Sequence, residues 1–181
     1  MNTYPAPIRA AQAIGLTGAA WLSGNIATYS LSAIPALLKS HRDHSTPYSV
    51  LVRQWRDMYN AGKAQNPPIA AVTAAAFAFL AWAVPRSPAG SVLASEHAGW
   101  LFGVAAGLTV GIVPWTLAVM GGVNKRLMEI AAGESGEKVD LEVGEAGREV
   151  EIEGLLVRWM ALNAVRGVLP AVGAAVGLLA V

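Results

Sequence analysis

Charge is nearly absent from four long stretches of this chain, and that absence constrains the fold more than any other feature. Ile69 to Val84 and Gly99 to Val123 contain no charged residue. The stretch from about Ile8 to Leu38 carries only Arg9, and Leu155 to Val181 carries only Arg158 and Arg166. A helix crosses a bilayer with about 20 mainly apolar residues, and every backbone polar group in it is satisfied within the helix. The chain is 54% hydrophobic and 14% charged, against roughly 25% charged in a soluble domain. These blocks predict an all-α protein, a membrane-embedded four-helix bundle forming one domain over residues 1–181. The first block is too long for a signal-peptide core and reads as a retained membrane helix.

The connecting segments complete the expected architecture. The first block exceeds one span, which predicts tilt or a break near Pro35. Within it Trp21, Asn25, Thr28 and Tyr29 recur at helical spacing. An unpaired amide is costly in hydrocarbon, so this stripe is expected to face other helices. Residues 39–67 are polar, and Tyr48 to Tyr59 reads as an interfacial helix ended by Gly62 and Pro67-Pro68. In the third block Gly103, Gly107 and Gly111 recur every four residues. Such a face permits close helix approach, either inside the chain or in a homo-oligomer. Pro114 is expected to kink this helix and Pro170 withholds the N–H that would bond the Arg166 carbonyl. Residues 129–154 hold most of the acidic side chains. They read as a polar acidic loop between the third and fourth spans, with a small hairpin as the alternative suggested by alternating Val139, Leu141 and Val143.

Several function classes drop out. The chain has no cysteine, which removes disulfides, thiolate catalysis and Cys-ligated metal sites. A net charge of +1 offers no field for nucleic acid. No glycine-rich nucleotide loop and no Gly-x-Ser-x-Gly element occurs. His41 and His44, with Asp43 beside them, suit a solvated surface better than a metal site, and no metal site is expected.

Lys39, Arg42, Arg53, Arg56, Lys63, Lys125, Arg126, Lys138 and Arg148 follow the first and third blocks, with Arg158 opening the fourth; only Arg9 and Arg86 lie on the other side. The excess places the polar segments in the cytoplasm and both termini opposite. Three motifs then share one membrane face: Trp55 with Tyr59, Asn124-Lys125-Arg126, and Trp159, Asn163 and Arg166 at i, i+4 and i+7 on one helical face. An intramembrane arginine either snorkels to the interface or holds an anionic oxygen. Asn163 either cross-links helices or serves the same oxygen. Trp55 and Trp159 either anchor the interface or sandwich a flat aromatic ligand.

Trp-x-x-x-Tyr-x-x-Gly (Trp55, Tyr59, Gly62), Asn-Lys-Arg-Leu (Asn124 to Leu127) and Trp-x-x-x-Asn-x-x-Arg (Trp159, Asn163, Arg166), set among four apolar blocks, resemble the anthrone oxygenase-like family of small integral membrane proteins. The resemblance covers nearly the whole chain. It implies oxidation of an anthrone-like aromatic polyketide to a quinone with O2 as co-substrate and no metal or flavin, and a location in the endoplasmic reticulum. It implies a small hydrophobic aromatic substrate within a lipid membrane. Arg166, Asn163 and Tyr59 are then the catalytic candidates. Trp159, Trp55, Asn124, Arg126, Asn25 and Tyr29 are candidates for substrate binding. Arg166, Asn163, Arg126 and Asn124 would stabilise the substrate anion. The base stays open among Tyr59, Asp57, His41, His44 and water. Two rival readings remain: another polyketide tailoring step on the same fold, such as a cyclisation, dehydration or rearrangement, or a non-enzymatic membrane scaffold or carrier.

Overall fold

The computed structural model describes residues 4–89, 94–133 and 137–180, with backbone alone for residues 137–146. The described residues are helical and contain no strand. Helix α1 (Ala6–Thr28) passes through a π-helical turn (Tyr29–Ala33) into α2 (Ile34–His44). Helix α3 (Tyr48–Ala83) ends in a 3-10 turn (Val84–Arg86). Helices α4 (Ala98–Val110), α5 (Ile112–Ala118), α6 (Gly121–Ala132) and α7 (Glu137–Leu178) follow.

The prolines within the helices differ in effect. The break expected near Pro35 is the π turn just before it, where Ile34 N–H bonds the carbonyl of Tyr29. Pro114 leaves the carbonyl of Val110 without its usual donor, and the helix is interrupted there, between α4 and α5. Pro67 and Pro68 do not end a helix. The interfacial helix and the second apolar block form one 36-residue helix through them. The carbonyls these prolines strand belong to Lys63 and Ala64, which are exposed like the prolines themselves, so no buried acceptor is orphaned.

The acidic loop is a second correction. Residues 134–136 lie outside the described residues, but α7 begins at Glu137 and runs for 42 residues. No hairpin forms over Val139, Leu141 and Val143. The segment is rich in Glu, Val, Leu and Arg and contains no proline before Pro170. Helix propensity therefore meets no breaker, and the glycines at 144, 147 and 154 cost only about 1 kcal/mol each relative to alanine. Helix α6 does end, at Gly133 with φ 76°, the left-handed position a glycine takes without penalty.

Among the described residues, three helical stretches are long and apolar enough to cross a membrane: Tyr48–Arg86, Ala98–Ala118 and Gly147–Leu178. The N-terminal helix is long but is not among them; Gln12, Thr17, Ser23 and Asn25 dilute it. No more than 33% of the most apolar window of each of the three is buried inside the protein. Leu31, Leu117 and Trp100 are each more than 70% exposed. An apolar surface of that kind needs lipid, not water, around it.

The chain forms two compact units. The first holds Met1–Asn25, Gln65–Pro114 and Arg166–Val181; the second holds Ile26–Ala64 and Trp115–Val165. The first unit packs Ile8, Ala11, Ala19, Phe77, Leu80, Phe102 and Ala105. Its close approaches fall at Gly15 and Gly177, where an added Cβ would lie 2.8 and 2.9 Å from the Phe77 ring. Gly18 likewise abuts Thr73. A Cβ at Gly103 or Gly107 would meet nothing within 4 Å, so these glycines do not pack the interior. The second unit packs Ile34, Leu51, Trp55, Met120, Leu127, Leu156 and Trp159. The stripe expected to face inward on the first helix does so only in part, because Trp21 is 45% exposed and Thr28 is exposed. The inward residues are Leu22, Ile26 and Ser30.

Candidate functional site

Helix α7 carries one buried stripe: Ile152, Leu156, Trp159, Asn163, Arg166, Pro170, Gly173 and Gly177 are all buried. The spacing alternates between four and three, as an inward face of a straight helix requires. Asn163 and Arg166 occupy core positions of this stripe. That is why they are buried, at 0% and 9% exposure, although polar.

Within the second unit the sequence candidates meet. Trp159 donates its indole Nε1–H to Asn124 Oδ1 at 2.9 Å. Trp55 meets Trp159 edge to face, ring centroids 5.9 Å apart at 88°. Tyr59, one turn on from Trp55, stacks on it at 5.3 Å and 15°. Trp55 therefore has protein aromatic rings as neighbours where the sandwich reading would place a ligand. Tyr29 packs against the same core.

Asn163 is held by two residues the sequence reading missed. Its Nδ2 donates to the Ile26 carbonyl at 2.9 Å and to Ser30 Oγ at 2.8 Å. The Ser30 hydroxyl in turn donates to the carbonyl of Met160 at 2.9 Å. A carbonyl only accepts, so this network fixes which end of the amide faces Ile26. Both amide hydrogens are committed, and Oδ1 is buried with no hydrogen-bond partner among the described residues. Ser30 lies in the π turn, and such turns are frequent at functional sites. The only sequence signal for it was a serine four residues after Ile26 in an apolar run, on the face next to the stripe that was singled out.

Other candidates lie elsewhere. Arg126 sits in α6 and grips Glu151 with two bonds, Nε to Oε1 at 2.7 Å and Nη2 to Oε2 at 3.1 Å. Glu129 lies 3.7 Å from the same guanidinium. The hydrogen bond to Glu151 raises the Arg126 pKa further above its ordinary value, so its charge is already matched by carboxylates. Asn25 belongs to the first unit, where its Nδ2 donates to Asn66 Oδ1 at 2.8 Å and ties α1 to α3. Arg166 also belongs to the first unit. Of the base candidates, Tyr59 touches the cluster. Asp57 is exposed and lies 3.7 Å from Arg56. His41 pairs through Nδ1 with the Thr46 carbonyl at 2.8 Å, in the turn after α2, and His44 is exposed.

Among the described residues no group of three or more His, Asp or Glu side chains could hold a metal ion. A cleft of about 420 Å³ in the second unit is lined by residues including Tyr48, Arg53, Ile130, Arg148 and Ile152. None of the catalytic or substrate-binding candidates lines it.

No solved structure matches the chain. It is 38% identical to anthrone oxygenase encC of Aspergillus fumigatus over 173 residues, 92% of this chain and 90% of that one. It is 32% identical to monooxygenase hypC of Dothistroma septosporum over 161 residues, 88% of this chain and 76% of that one. It is 31% identical to the noranthrone monooxygenase of Aspergillus flavus over 167 residues, 92% and 70% of the two chains. The family profile described as anthrone oxygenase matches residues 55–176, a span that opens on Trp55 and contains Asn124, Trp159 and Asn163, so the chain belongs to the anthrone oxygenase family.

Proposed function

We propose that this protein is a membrane-embedded oxygenase that converts an anthrone-like aromatic polyketide to a quinone with O2 and without a cofactor. The observation that carries the reading is the 38% identity to a named anthrone oxygenase along nearly the full length of both chains. The buried cluster of Trp55, Tyr59, Asn124, Trp159 and Asn163 agrees with it, since flat polycyclic phenols need aromatic walls and a few fixed polar atoms.

The chemistry asks little of the protein. Loss of a proton from the anthrone CH2 gives an anion delocalised as a phenolate. That anion passes one electron to O2, leaving a substrate radical and superoxide. The two combine to form a C–O bond, the peroxide takes up a proton, and loss of water leaves the new carbonyl. The net change is CH2 + O2 → C=O + H2O, and the substrate supplies every electron. The protein's part is to hold the substrate out of water and to stabilise the anion. We assign the latter to Arg166, the cation that the Trp-x-x-x-Asn-x-x-Arg spacing places one turn beyond Asn163. Tyr59, in contact with Trp55, relays the proton towards water.

The same reading extends to the membrane. The N-terminal helix is a fourth span completing a single four-helix domain, the motif face is cytoplasmic with both termini opposite, and the host membrane is the endoplasmic reticulum. The unfilled Gly103 and Gly107 face on α4, with Gly111 just beyond it, offers a contact for a second copy.

The test is aerobic turnover of emodin anthrone by the detergent-purified protein, with metal analysis of the same sample. Quinone formation above the no-enzyme rate, abolished by Arg166→Ala and accompanied by no stoichiometric metal, is the expected result. A folded wild type that matches the no-enzyme rate rejects the anthrone reading.

A further inference from the structure

The second unit contains three tryptophans whose indole N–H groups can be compared. Trp159 donates to Asn124 Oδ1 at 2.9 Å and Trp115 donates to the Leu162 carbonyl at 3.2 Å. Trp55 is 0% exposed, and its Nε1–H has no hydrogen-bond partner among the described residues. An indole N–H is a donor only, and a buried donor left unmade is disfavoured strongly enough that few survive in native structures. A Phe at this position would be the smaller side chain and would carry no such penalty.

A second orphan lies close along the chain of contacts. Trp55 packs on Trp159, and Asn163 follows Trp159 by one helical turn on the same buried stripe. Its Oδ1 is an acceptor, 0% exposed at the residue level, with no partner among the described residues. Its orientation is fixed by the bonds of Nδ2 to Ile26 and Ser30, so turning the amide over would not satisfy it. One orphan donor thus sits on the residue that packs on Trp159, and one orphan acceptor sits one helical turn along from Trp159.

We infer that Trp55 Nε1–H and Asn163 Oδ1 are the substrate's hydrogen-bond partners: Trp55 donates to a ring-ketone oxygen, and Asn163 accepts from a hydroxyl on the same aromatic skeleton. This rests on the anthrone reading above and assigns the two protein atoms that would hold such a substrate. It also reverses two roles suggested by the sequence. Trp55 acts through its edge, because Tyr59 already stacks on its ring. Asn163 acts as an acceptor, because its donors are committed.

The test is anaerobic equilibrium binding to the full chain in detergent, so that no turnover intervenes. Three ligands share one skeleton: 3,6-dihydroxyanthrone, whose hydroxyls lie too far from the ring ketone to donate to it, anthrone without hydroxyls, and 9,10-dihydroanthracene without any oxygen. Each uncharged hydrogen bond gained is worth about tenfold in affinity. Wild type should bind dihydroxyanthrone about tenfold tighter than anthrone, and anthrone about tenfold tighter than dihydroanthracene. Trp55→Phe should erase only the second step. A ratio between anthrone and dihydroanthracene unchanged in Trp55→Phe overturns the role of Trp55. Equal wild-type affinity for anthrone and dihydroxyanthrone overturns that of Asn163. If wild type binds none of the three, the anthrone reading itself fails and this inference with it. Should Trp55→Phe not fold, the indole N–H resonances of the wild type carry the same information. One signal should move downfield with anthrone and stay still with dihydroanthracene; no such signal overturns the inference.

Discussion

The two compact units of this chain use different packing materials. The first closes on alanine, glycine and two phenylalanines: Phe77 lies against Phe102 at 6.3 Å, and Gly15 and Gly177 leave room for its ring. Its edge carries Trp82 and Arg86, with the guanidinium 5.5 Å over the indole, an arrangement suited to a membrane–water interface. The second unit closes on tryptophan, tyrosine, methionine and buried asparagine, and several side-chain hydrogen bonds join its helices, where the first unit has the Asn25–Asn66 bond. Small residues let helices approach and add nothing that a ligand can read. Buried amides and indoles make a more selective interior, but each polar atom must find a partner. On the proposed reading, the second unit supplies the indole and amide atoms that recognise the substrate.

Substitutions can break or sharpen that contrast. The largest stability loss is expected from Asn163→Leu, which removes the bonds to Ile26 and Ser30 and should cost roughly 2–4 kcal/mol. Denaturant unfolding of the detergent-solubilised protein would measure it. Gly15→Ala tests the first unit. Its Cβ would sit 2.8 Å from the buried Phe77 ring, and overpacking of this kind costs about 1–3 kcal/mol. The protein that still folds should keep wild-type substrate affinity, because nothing in the recognition cluster has changed. Trp159→Phe deletes the bond to Asn124 and leaves a buried acceptor unmet, a loss of about 1–3 kcal/mol. Arg126→Gln breaks the pair with Glu151, whose side chains are 32% and 34% exposed. Partial exposure screens that pair, so the melting midpoint should fall by no more than the equivalent of about 1 kcal/mol. The smallest effect belongs to Trp55→Phe. It removes no hydrogen bond from the ligand-free protein, and the small cavity it leaves offsets the relieved N–H, so stability should hold within about 1 kcal/mol. A large loss from Trp55→Phe, similar to that from Trp159→Phe, would mean that the two indoles are equivalent packing groups, and the contrast between satisfied and reserved N–H groups would collapse.

Much of this was legible in the residues. The i, i+4, i+7 spacing of Trp159, Asn163 and Arg166 placed all three on the buried stripe of α7. The apolar blocks around Ile69–Val84, Gly99–Val123 and Leu155–Val181 overlap the three stretches suited to crossing a membrane, and the block around Ile8–Leu38 does not. The boundaries were less legible. Pro67-Pro68 reads as a stop, yet α3 continues, because the carbonyls left without donors face outward. The acidic segment reads as a loop for its charge, yet Glu, Leu and Arg are good helix formers and no proline intervenes. Ser30 was invisible because its role depends on a π turn and on a partner 133 positions away.

Sequence by itself determined the helical class, three of the apolar stretches that suit a membrane, and four of the residues in contact in the second unit: Trp55, Tyr59, Asn124 and Trp159. Periodicity and composition fix which face of a helix is buried, and a single chain shows both. Tertiary structure alone decided what each polar group is free to do. Arg126 is matched by two carboxylates, the Asn163 amide hydrogens are committed, and the Trp55 N–H is not. Spacing can bring an amide to an interface, but which of its atoms remains available depends on the neighbours that distant parts of the chain supply.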